Sequence, residues 1–276
     1  MKNPQTIRNY CVSISVFFPA YNDQYAIVEI VEKALALLPT LTGDFEIIIV
    51  NDGSRDGTAD VVDELAAQHP PVRVIHHKYN RGYGGALQSG FSHAVKEMVF
   101  YTDGDGQYDV RELGKLLPRM IEDVDVDVVN GYKIKRFDQR RRVILGGLYK
   151  FLARWLFGLP IRDVDCDFRL IRRSAIQSID LVSTSGVVCT EMIYKLKASG
   201  FRFVEVPVNH FPRLYGQSQF FTWKRVIRTA FDFLGLWIKL VLMPVIRGKR
   251  DGGFARPKAG NYEYEDDPGS PVKDSW

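Results

Sequence analysis

The sequence predicts an α/β fold in which helices cover both faces of a mostly parallel central sheet. Continuous β-branched and aromatic runs, typical of buried strands, occupy residues 12–18, 45–50, 72–76 and 98–102. Helical apolar spacing fills the intervals between them, at 27–38, at 59–68 and from a glycine-rich turn at 81–85 to about 96. Strands and helices that alternate in this rhythm form parallel sheets, and polar motifs follow three of these strands.

The second half of the chain is more mixed. Strands are predicted at 124–130 and 201–208, and an aromatic-rich amphipathic helix at 143–157. Residues 222–246 form a long apolar stretch that Arg228, Asp232 and Lys239 interrupt. A membrane-spanning helix needs roughly 20 predominantly apolar residues with few charges, so we expect this stretch to be amphipathic rather than transmembrane.

Composition narrows the class of protein. The 276 residues are 46% hydrophobic and 25% charged, which is ordinary for a globular protein. The three cysteines are odd in number and widely spaced, which argues against a disulfide framework or a zinc site and favours a reducing cytosol. Residues 1–10 lack the apolar run of a signal peptide. A net charge of +4 is too small to indicate a nucleic-acid partner. The oligomeric state stays open, and a homo-oligomer is compatible with the sequence.

Three polar motifs come directly after predicted strands. They are Pro19-Ala20-Tyr21-Asn22-Asp23, Asn51-Asp52-Gly53-Ser54 and Asp103-Gly104-Asp105-Gly106-Gln107. In parallel α/β sheets, ligands bind beyond the carboxyl ends of the strands. The sequence therefore predicts that the three motifs share one site.

The acidic motif is a candidate metal site. In an extended stretch, the oxygen-bearing side chains of Asp103, Asp105 and Gln107 would point the same way, since they are two residues apart. Such hard oxygen ligands suit Mg²⁺ or Mn²⁺, which complete their shell with substrate phosphates. The alternative is a solvated acidic turn, since Asp-Gly is a common turn dipeptide. The position after a buried strand favours the metal.

Asp52 has two compatible interpretations. Its motif runs on to Thr58 as an Asx-rich turn before a helix, with Asp56 or Thr58 as the capping residue. Asp52 itself follows an apolar strand directly, where a carboxylate can accept hydrogen bonds from a base or a ribose.

Three further segments have residues that could contact phosphate groups or form tight turns. Glycines at 82, 84 and 85 miss the dinucleotide fingerprint, because its third glycine falls on Leu87, and indicate a tight turn instead. Residues 133–142 hold six basic side chains and one acid, which form either a solvated face or a surface for an anionic lipid head or phosphate. Arg213 and Ser218 flank Gly216 in a segment suited to a loop that closes on a diphosphate.

Taken together, these motifs resemble those of the inverting family-two glycosyltransferases, which have the Rossmann-like GT-A fold. The chain is most similar to the branch that glycosylates dolichyl and undecaprenyl phosphates. The resemblance runs from about residue 12 to 220. Besides the motifs above, it includes Asn80-Arg81-Gly82, the segment 163–169 (DVDCDFR), Glu191 and Glu205-Val206-Pro207. It implies a GT-A domain at 1–220, a membrane-associating amphipathic helix at 221–246 and, since residues 247–276 are rich in Gly, Pro and charge, a disordered tail.

The resemblance also implies roles for particular residues. The nucleotide would be surrounded by Pro19, Ala20, Tyr21, Asp23 and Asp52. Asp103 would contact the ribose or nucleotide and, with Asp105 and Gln107, lie at the metal, Mg²⁺ or Mn²⁺. The donor diphosphate would be held by Arg213 and Ser218. The sugar or acceptor would be faced by Asp165, Asp167, Arg169 and Glu191, and the acceptor phosphate by the arginines at 136–142.

The implied reaction is an in-line displacement that inverts the anomeric carbon of a UDP- or GDP-sugar. A lipid-phosphate acceptor arrives ionised and needs no general base, whereas a hydroxyl acceptor needs a carboxylate such as Asp165, Asp167 or Glu191. The expected location is the cytoplasm, peripheral at the cytoplasmic face of a membrane. Two alternatives stay open: a soluble transferase acting on a saccharide or small-molecule hydroxyl, and a non-catalytic module that binds nucleotide sugars.

Overall fold

The computed structural model describes residues 10–134, 140–213, 223–246 and 262–264, with side chains in all of these except 140–145, 223–225 and 262–264. Eight strands form one sheet. They are β1 (Ser13–Ala20), β2 (Asp44–Asn51), β3 (Val72–His76), β4 (Met98–Thr102), β5 (Val126–Lys133), β6 (Phe168–Arg172), β7 (Arg202–Val208) and β8 (Tyr262–Tyr264).

Helices connect the strands and cover the sheet. They are α1 (Ala26–Leu41), α2 (Thr58–Gln68), α3 (Gly82–His93), α4 (Leu113–Glu122), α5 (Arg140–Phe157), α6 (Arg173–Gln177), α7 (Val188–Ala198), α8 (Trp223–Trp237) and α9 (Met243–Ile246). A π-helical segment, Ile238–Leu242, joins α8 to α9, and a short 3₁₀ turn, Val110–Glu112, precedes α4.

The sheet is mixed and mostly parallel, in the order β3-β2-β1-β4-β6-β5-β7-β8. Strand β6 runs antiparallel to both β4 and β5, and the other pairings are parallel. Because β1, β2 and β4 are parallel neighbours, their carboxyl ends lie at one edge of the sheet, and the three polar motifs emerge there. The predicted mostly parallel α/β fold is therefore confirmed.

Two hydrophobic clusters, one on each face, hold the helices to the sheet. One packs α1, α2 and α4 against the sheet, with Val16 and Phe100 in its centre. The other packs α3, α5, α7 and α8 on the opposite face, with Phe17 and Tyr101 fully buried. Alternate residues of β1 and β4 thus enter opposite cores, as a strand buried on both faces requires.

Three elements differ from the expectation. Helix α1 continues past Pro39 to Leu41, since a proline in the last turn removes only one hydrogen bond there. Strand β6 was not predicted, because its arginines hide the apolar alternation, although Arg169 is fully buried. Residues Tyr262–Tyr264, in the predicted disordered tail, instead pair with β7 as β8. The rest of 247–276 lies outside the described residues.

The C-terminal helical segment packs on the second core by one face only. Trp237 Nε1 donates to the carbonyl oxygen of Leu156 at 3.1 Å, and Tyr194 Oη donates to that of Leu240 at 2.9 Å. The segment Val226–Ile246 is long and apolar enough to cross a membrane, with a mean hydropathy of 1.7. Both the interfacial position predicted from its charges and a spanning position are therefore compatible with its composition.

Strand β7 carries a buried carboxyl group, Glu205. Its Oε1 accepts a hydrogen bond from the backbone N–H of Arg162 at 2.8 Å, and the Arg162 Nε lies 3.6 Å from Oε2. Burial nevertheless dominates and raises the pKa of Glu205 from 4.5 to about 7. Between these two values the folded chain keeps a proton that the unfolded chain has lost.

This proton makes stability depend on pH. We expect the free energy of unfolding to fall as pH rises from about 4.5 to 7, by at most about 3 kcal/mol from this group. Glu205→Gln, which keeps the hydrogen-bond acceptor for Arg162, should flatten that slope. Urea denaturation of both proteins at pH 5 and pH 8 measures the difference, with the exposed Glu64→Gln as control. An equal slope in wild type and Glu205→Gln would contradict the assignment.

Candidate active site

The loops after β1, β2 and β4 are joined by backbone hydrogen bonds into one continuous edge. Asp52 N donates to the carbonyl oxygen of Ala20 at 2.9 Å, and Gly104 N donates to that of Pro19 at 3.2 Å. Asn22 has a left-handed backbone, φ 57°, and its N–H donates to Ser54 Oγ at 3.0 Å. The predicted nucleotide residues Pro19, Ala20 and Tyr21 therefore lie beside Asp52, with the first two buried.

Arg213 lies between two of the predicted carboxylates. Its Nη2 contacts Asp105 Oδ2 at 2.6 Å and its Nη1 lies 3.6 Å from Asp23 Oδ1. Burial raises the pKa of Asp23 to about 6 although Arg213 opposes the shift. Arg213 Nε is buried without a hydrogen-bond partner among the described residues. A buried cationic donor of this kind is suited to a further anionic ligand.

Asp103 is a carboxyl group on which burial and neighbouring negative charges act together. It accepts a hydrogen bond from Tyr83 Oη at 2.8 Å, which ties it to the N-terminal turn of α3. Burial first, and then the negative charges of Asp167 and Asp105, raise the pKa of Asp103 well above its usual range. The positive charge of Lys133 lowers the pKa of Asp103 but does not offset these effects. The edge therefore has a surplus of negative charge.

The segment 103–107 is a turn and not an extended strand end. Gly106 has φ 75°, and Asp105 Oδ1 accepts a hydrogen bond from Gln107 N at 3.0 Å, as in an Asx turn. The geometric reason for the metal prediction, alternate side chains on one side of a strand, was therefore wrong. Gln107 Nε2 donates to the carbonyl oxygen of Phe211 at 3.2 Å, which connects this turn to the segment before Arg213.

The donor atoms of this edge fit a divalent cation. Within the described residues, no group of three or more His, Cys, Asp or Glu side chains is arranged to hold a metal. The fit rests instead on the hard oxygens of Asp103, Asp105 and Gln107 and on the negative charges of Asp167 and Asp105, which add to burial in raising the pKa of Asp103. Few protein oxygens with phosphates beside them are typical of Mg²⁺ sites.

The predicted sugar or acceptor residues differ in exposure. Arg169 is fully buried: its Nε donates to Asn130 Oδ1 at 2.5 Å and its Nη2 to the carbonyl oxygen of Val164 at 2.5 Å. Its Nη1 lies 3.1 Å from Asp167 Oδ1. The side chain of Asp165 is half exposed. Asp165 is therefore accessible to a ligand, whereas the side chain of Asp167 is only 15% exposed and Arg169 holds it from beneath.

Glu191, on α7, is fully buried and bound by several donors. Its carboxylate accepts from Ser183 N at 2.8 Å, from Val182 N at 3.2 Å and from Lys195 Nζ at 2.6 Å. Burial acts to raise its pKa, but the hydrogen bonds from Lys195 and Ser183 prevail and lower it. These bonds fix the loop against which the backbone of Gly84 packs, since Gly84 N donates to the carbonyl oxygen of Thr184 at 2.9 Å.

Two residues of this edge were missed in the sequence, His77 and Tyr83, and Lys133 was predicted only as part of the basic run 133–142. His77 Nδ1 lies 2.6 Å from Asp52 Oδ1, and Lys133 Nζ donates to the carbonyl oxygen of Asp165 at 2.6 Å. A signal for His77 exists, because it follows β3 as Asp52 follows β2. Tyr83 carries no such signal, since its role depends on how α3 approaches β4.

Some predicted residues cannot be placed. Ser218 lies outside the described residues, as do positions 135–139 of the basic run, and the side chains of 140–142 are not described. A cavity of about 550 Å³ opens beside the loop after β2. It is lined in part by Gly53, Ser54, His77, Tyr79 and Asn80.

The sheet order and the carboxylates at its carboxyl edge define an α/β enzyme of the type that binds its ligands beyond the strand ends. More particularly, residues 15–180 match the family described as Glycosyl transferase family 2. The chain belongs to this family and is a glycosyltransferase. Family membership favours the enzyme over the non-catalytic binding module.

Curated relatives include transferases to lipid phosphates. The chain is 31% identical over 215 residues to the undecaprenyl-phosphate 4-deoxy-4-formamido-L-arabinose transferase of Edwardsiella ictaluri, covering 75% of the chain and 62% of that protein. It is 29% identical to the polyprenol monophosphomannose synthase of Mycolicibacterium smegmatis, covering 79% and 84%. It is also 29% identical to glycosyltransferase AglD of Haloferax volcanii, covering 85% of the chain but only 38% of the relative.

Solved structures agree on the fold. The mannosyltransferase PcManGT of Pyrobaculum calidifontis, in complex with GDP-Man and Mn²⁺, has a TM-score of 0.59 at 19% identity, covering 93% of this chain and 70% of that one. The glucosyl-3-phosphoglycerate synthase of Mycobacterium tuberculosis, in complex with Mn²⁺, UDP and phosphoglyceric acid, has a TM-score of 0.58 at 15% identity, covering 88% and 80%. The predicted GT-A-like fold is thereby confirmed.

Proposed function

We propose that this enzyme transfers a sugar, with inversion, from a nucleoside-diphosphate sugar to a polyprenyl phosphate at a membrane surface. The observation that carries the donor half is the edge where Arg213 meets Asp105 and Asp23 amid a surplus of carboxylates. A nucleoside diphosphate with a divalent cation supplies both an acceptor for the unpaired Nε of Arg213 and the positive charge that the carboxylates lack. The acceptor half is supported by the relatives at about 30% identity.

In this proposal each part of the edge has one task. Tyr21, Asp23 and Asp52 hold the nucleoside, and Arg213 binds the diphosphate once released from Asp105. Asp103, Asp105 and Gln107 hold the cation, Mg²⁺ or Mn²⁺, which when bound stabilises the negative charge of the departing nucleoside diphosphate. Ser218 is assigned to the diphosphate by the resemblance alone.

The acceptor decides whether a base is needed. A lipid phosphate is already anionic, so Asp167 and Asp165 would orient the sugar, and Arg169 would position Asp167 from the core. A hydroxyl acceptor would need a proton acceptor, and half-exposed Asp165 and partly exposed Asp167 suit that task better than Glu191, whose oxygens are bound by backbone amides and Lys195. The alternative, a transferase to a saccharide or small-molecule hydroxyl, therefore depends on these two carboxylates.

An exposed apolar surface supports a membrane-bound acceptor. On α5, the side chains that face outward at helical spacing include Leu148, Phe151 and Trp155, the last 72% exposed. On the segment that begins with α8, a second outward stripe comprises Ile227, Phe231, Leu234 and Ile238. The two helices are neighbours, because Phe233 packs on Tyr149 and Phe157. Exposed stripes of this kind are typical of helices that lie in a lipid interface.

The proposed cation role of Asp105 is tested by catalysis. With undecaprenyl phosphate, Mn²⁺ and radiolabelled UDP- and GDP-hexoses, the wild type should form a lipid-linked sugar. Asp105→Asn should lower the rate by about 100-fold or more, because the leaving diphosphate loses its stabilising charge. Asp125→Asn, an exposed carboxylate just before β5 at the opposite edge, is the control and should keep full activity.

Two outcomes would count against this account. Undiminished transfer by Asp105→Asn removes the cation role from this motif. Transfer to a free sugar hydroxyl together with none to undecaprenyl phosphate favours the soluble alternative.

The exposed apolar stripes on α5 and α8 predict binding to a membrane surface. The double variant Trp155→Ser/Phe231→Ser should bind vesicles of anionic phospholipid at least about tenfold more weakly. The two aromatic side chains, exposed in the protein, become buried in the lipid and together contribute more than about 1.4 kcal/mol to binding. Val124→Ser, which removes an equally exposed side chain between α4 and β5, should bind like the wild type. Co-sedimentation measures the binding, and equal binding of all three proteins would refute the interface. Resistance to an alkaline carbonate wash would instead indicate that Val226–Ile246 spans the bilayer.

A further inference from the structure

One oxygen of the Asp52 carboxylate is already occupied. Asp52 Oδ1 lies 2.6 Å from His77 Nδ1 and accepts a hydrogen bond from the backbone N–H of Arg81 at 2.8 Å. A carboxylate oxygen has two lone pairs, so both acceptor sites of Oδ1 are used. Among the described residues no hydrogen bond is made to Oδ2, which leaves this oxygen as the one that can accept a hydrogen bond from a ligand.

His77 fixes the orientation of that carboxylate. The side chains of His77 and Asp52 are each only 5% exposed, and the other ring nitrogen, Nε2, lies 2.8 Å from Ser89 Oγ on α3. With Nε2 accepting from the serine hydroxyl, Nδ1 carries the proton that it donates to Asp52. Oδ1 therefore cannot turn toward a ligand without breaking two hydrogen bonds.

The order Ser89–His77–Asp52 has the residue types of a catalytic triad but not its accessibility. The Ser89 side chain lies on the sheet-facing side of α3 and is buried, and its hydroxyl is also within 3.3 Å of Arg81 Nη1. A nucleophilic serine has to be reached by its substrate. The chain of hydrogen bonds therefore positions Asp52 rather than activating Ser89.

The bases of nucleotide sugars differ in the N–H groups with which they can donate hydrogen bonds to a carboxylate. Uracil presents one N–H, at N3, between two carbonyl oxygens. Guanine presents two donors side by side, at N1 and at the 2-amino group, and a carboxylate pairs with such a fork through both of its oxygens. A single free oxygen pairs with the one N–H of uracil in good geometry, whereas the two donors of guanine must share that oxygen in a bent geometry, which weakens binding.

We propose that Asp52, held by its positioning residue His77, selects a uracil-containing donor over a guanine-containing one. The inference rests on the proposed function, in which Asp52 faces the base of a nucleoside-diphosphate sugar. It goes beyond that function because the relatives and structural neighbours differ in their donors: the solved complexes contain GDP-Man in one case and UDP in the other.

The experiment compares UDP, GDP and CDP as ligands of the full chain in the presence of Mn²⁺, by isothermal titration calorimetry. UDP should bind at least about tenfold more tightly than GDP. CDP should also bind more weakly, because cytosine has no hydrogen on N3. GDP binding as tightly as UDP would overturn the base assignment and leave the glycosyltransferase proposal intact. Failure of all three nucleotides to bind would instead count against the proposed function.

Variants of His77 separate positioning from folding. His77→Ala frees one acceptor site of Oδ1 while the Arg81 N–H keeps the other, so the ratio of UDP to GDP affinity should fall several-fold toward one. His77→Asn, whose side-chain N–H can still donate to Asp52, should keep most of the wild-type ratio. A purely structural role would weaken both nucleotides equally and leave the ratio unchanged in His77→Ala, which would overturn the role of His77. Melting temperatures of both variants identify any general loss of fold. The comparison of UDP with GDP in the wild type tests the base preference even if a variant does not fold.

Discussion

Repulsion among carboxylates gathered at one edge of a sheet is the interaction on which the rest of this site depends. Burial is the largest cause of the raised pKa of Asp103, and the negative charges of Asp167 and Asp105 raise it further. Among the described residues, the cations that lie close to these carboxylates are Lys133, Arg169 and Arg213. Such an arrangement costs stability in the free protein and is relieved by a ligand that brings cations and accepts hydrogen bonds.

The fold imposes this repulsion through its strand order. Parallel neighbours β1, β2 and β4 deliver the three polar loops to one edge, and the antiparallel strand β6 brings the segment 163–167 to the same place from the opposite direction. Arg169 then holds Asp167 through a fully buried guanidinium that also binds Tyr101 and Asn130. The carboxylates are therefore positioned by the core and cannot relax apart as free surface side chains would.

Much of the framework was predictable because it depends on local patterns. Strands buried on both faces are continuous apolar runs, and the residues after them were identified as a shared site before their distances were known. The antiparallel β6 was missed because a buried arginine breaks the apolar pattern of a strand, and no local rule reveals that Arg169 has partners on three other segments. The turn at Gly106 was missed for a similar reason, since an alternating Asp-Gly sequence fits both an extended and a turning backbone.

The side chains that support the site were the least predictable. His77 and Tyr83 act through contacts between segments distant in sequence, and Glu191 was predicted near the ligand although its oxygens are bound by backbone amides. The proposed acceptor face needed the structure as well, because the apolar spacing of an amphipathic helix does not tell which apolar side chains pack on the core and which stay exposed. Only the packing of Phe233 and Leu236 into the core shows which stripe remains exposed.

The account is tested most directly by titrating Mn²⁺ into the protein and following the free ion by electron paramagnetic resonance. In the absence of nucleotide, Arg213→Ala should bind Mn²⁺ several-fold more tightly than the wild type, because the guanidinium no longer occupies Asp105. Addition of a nucleoside diphosphate should strengthen Mn²⁺ binding in the wild type, since the diphosphate removes Arg213 and supplies further oxygen ligands. Equal Mn²⁺ affinity in the wild type and Arg213→Ala, unchanged by nucleotide, would contradict the central claim.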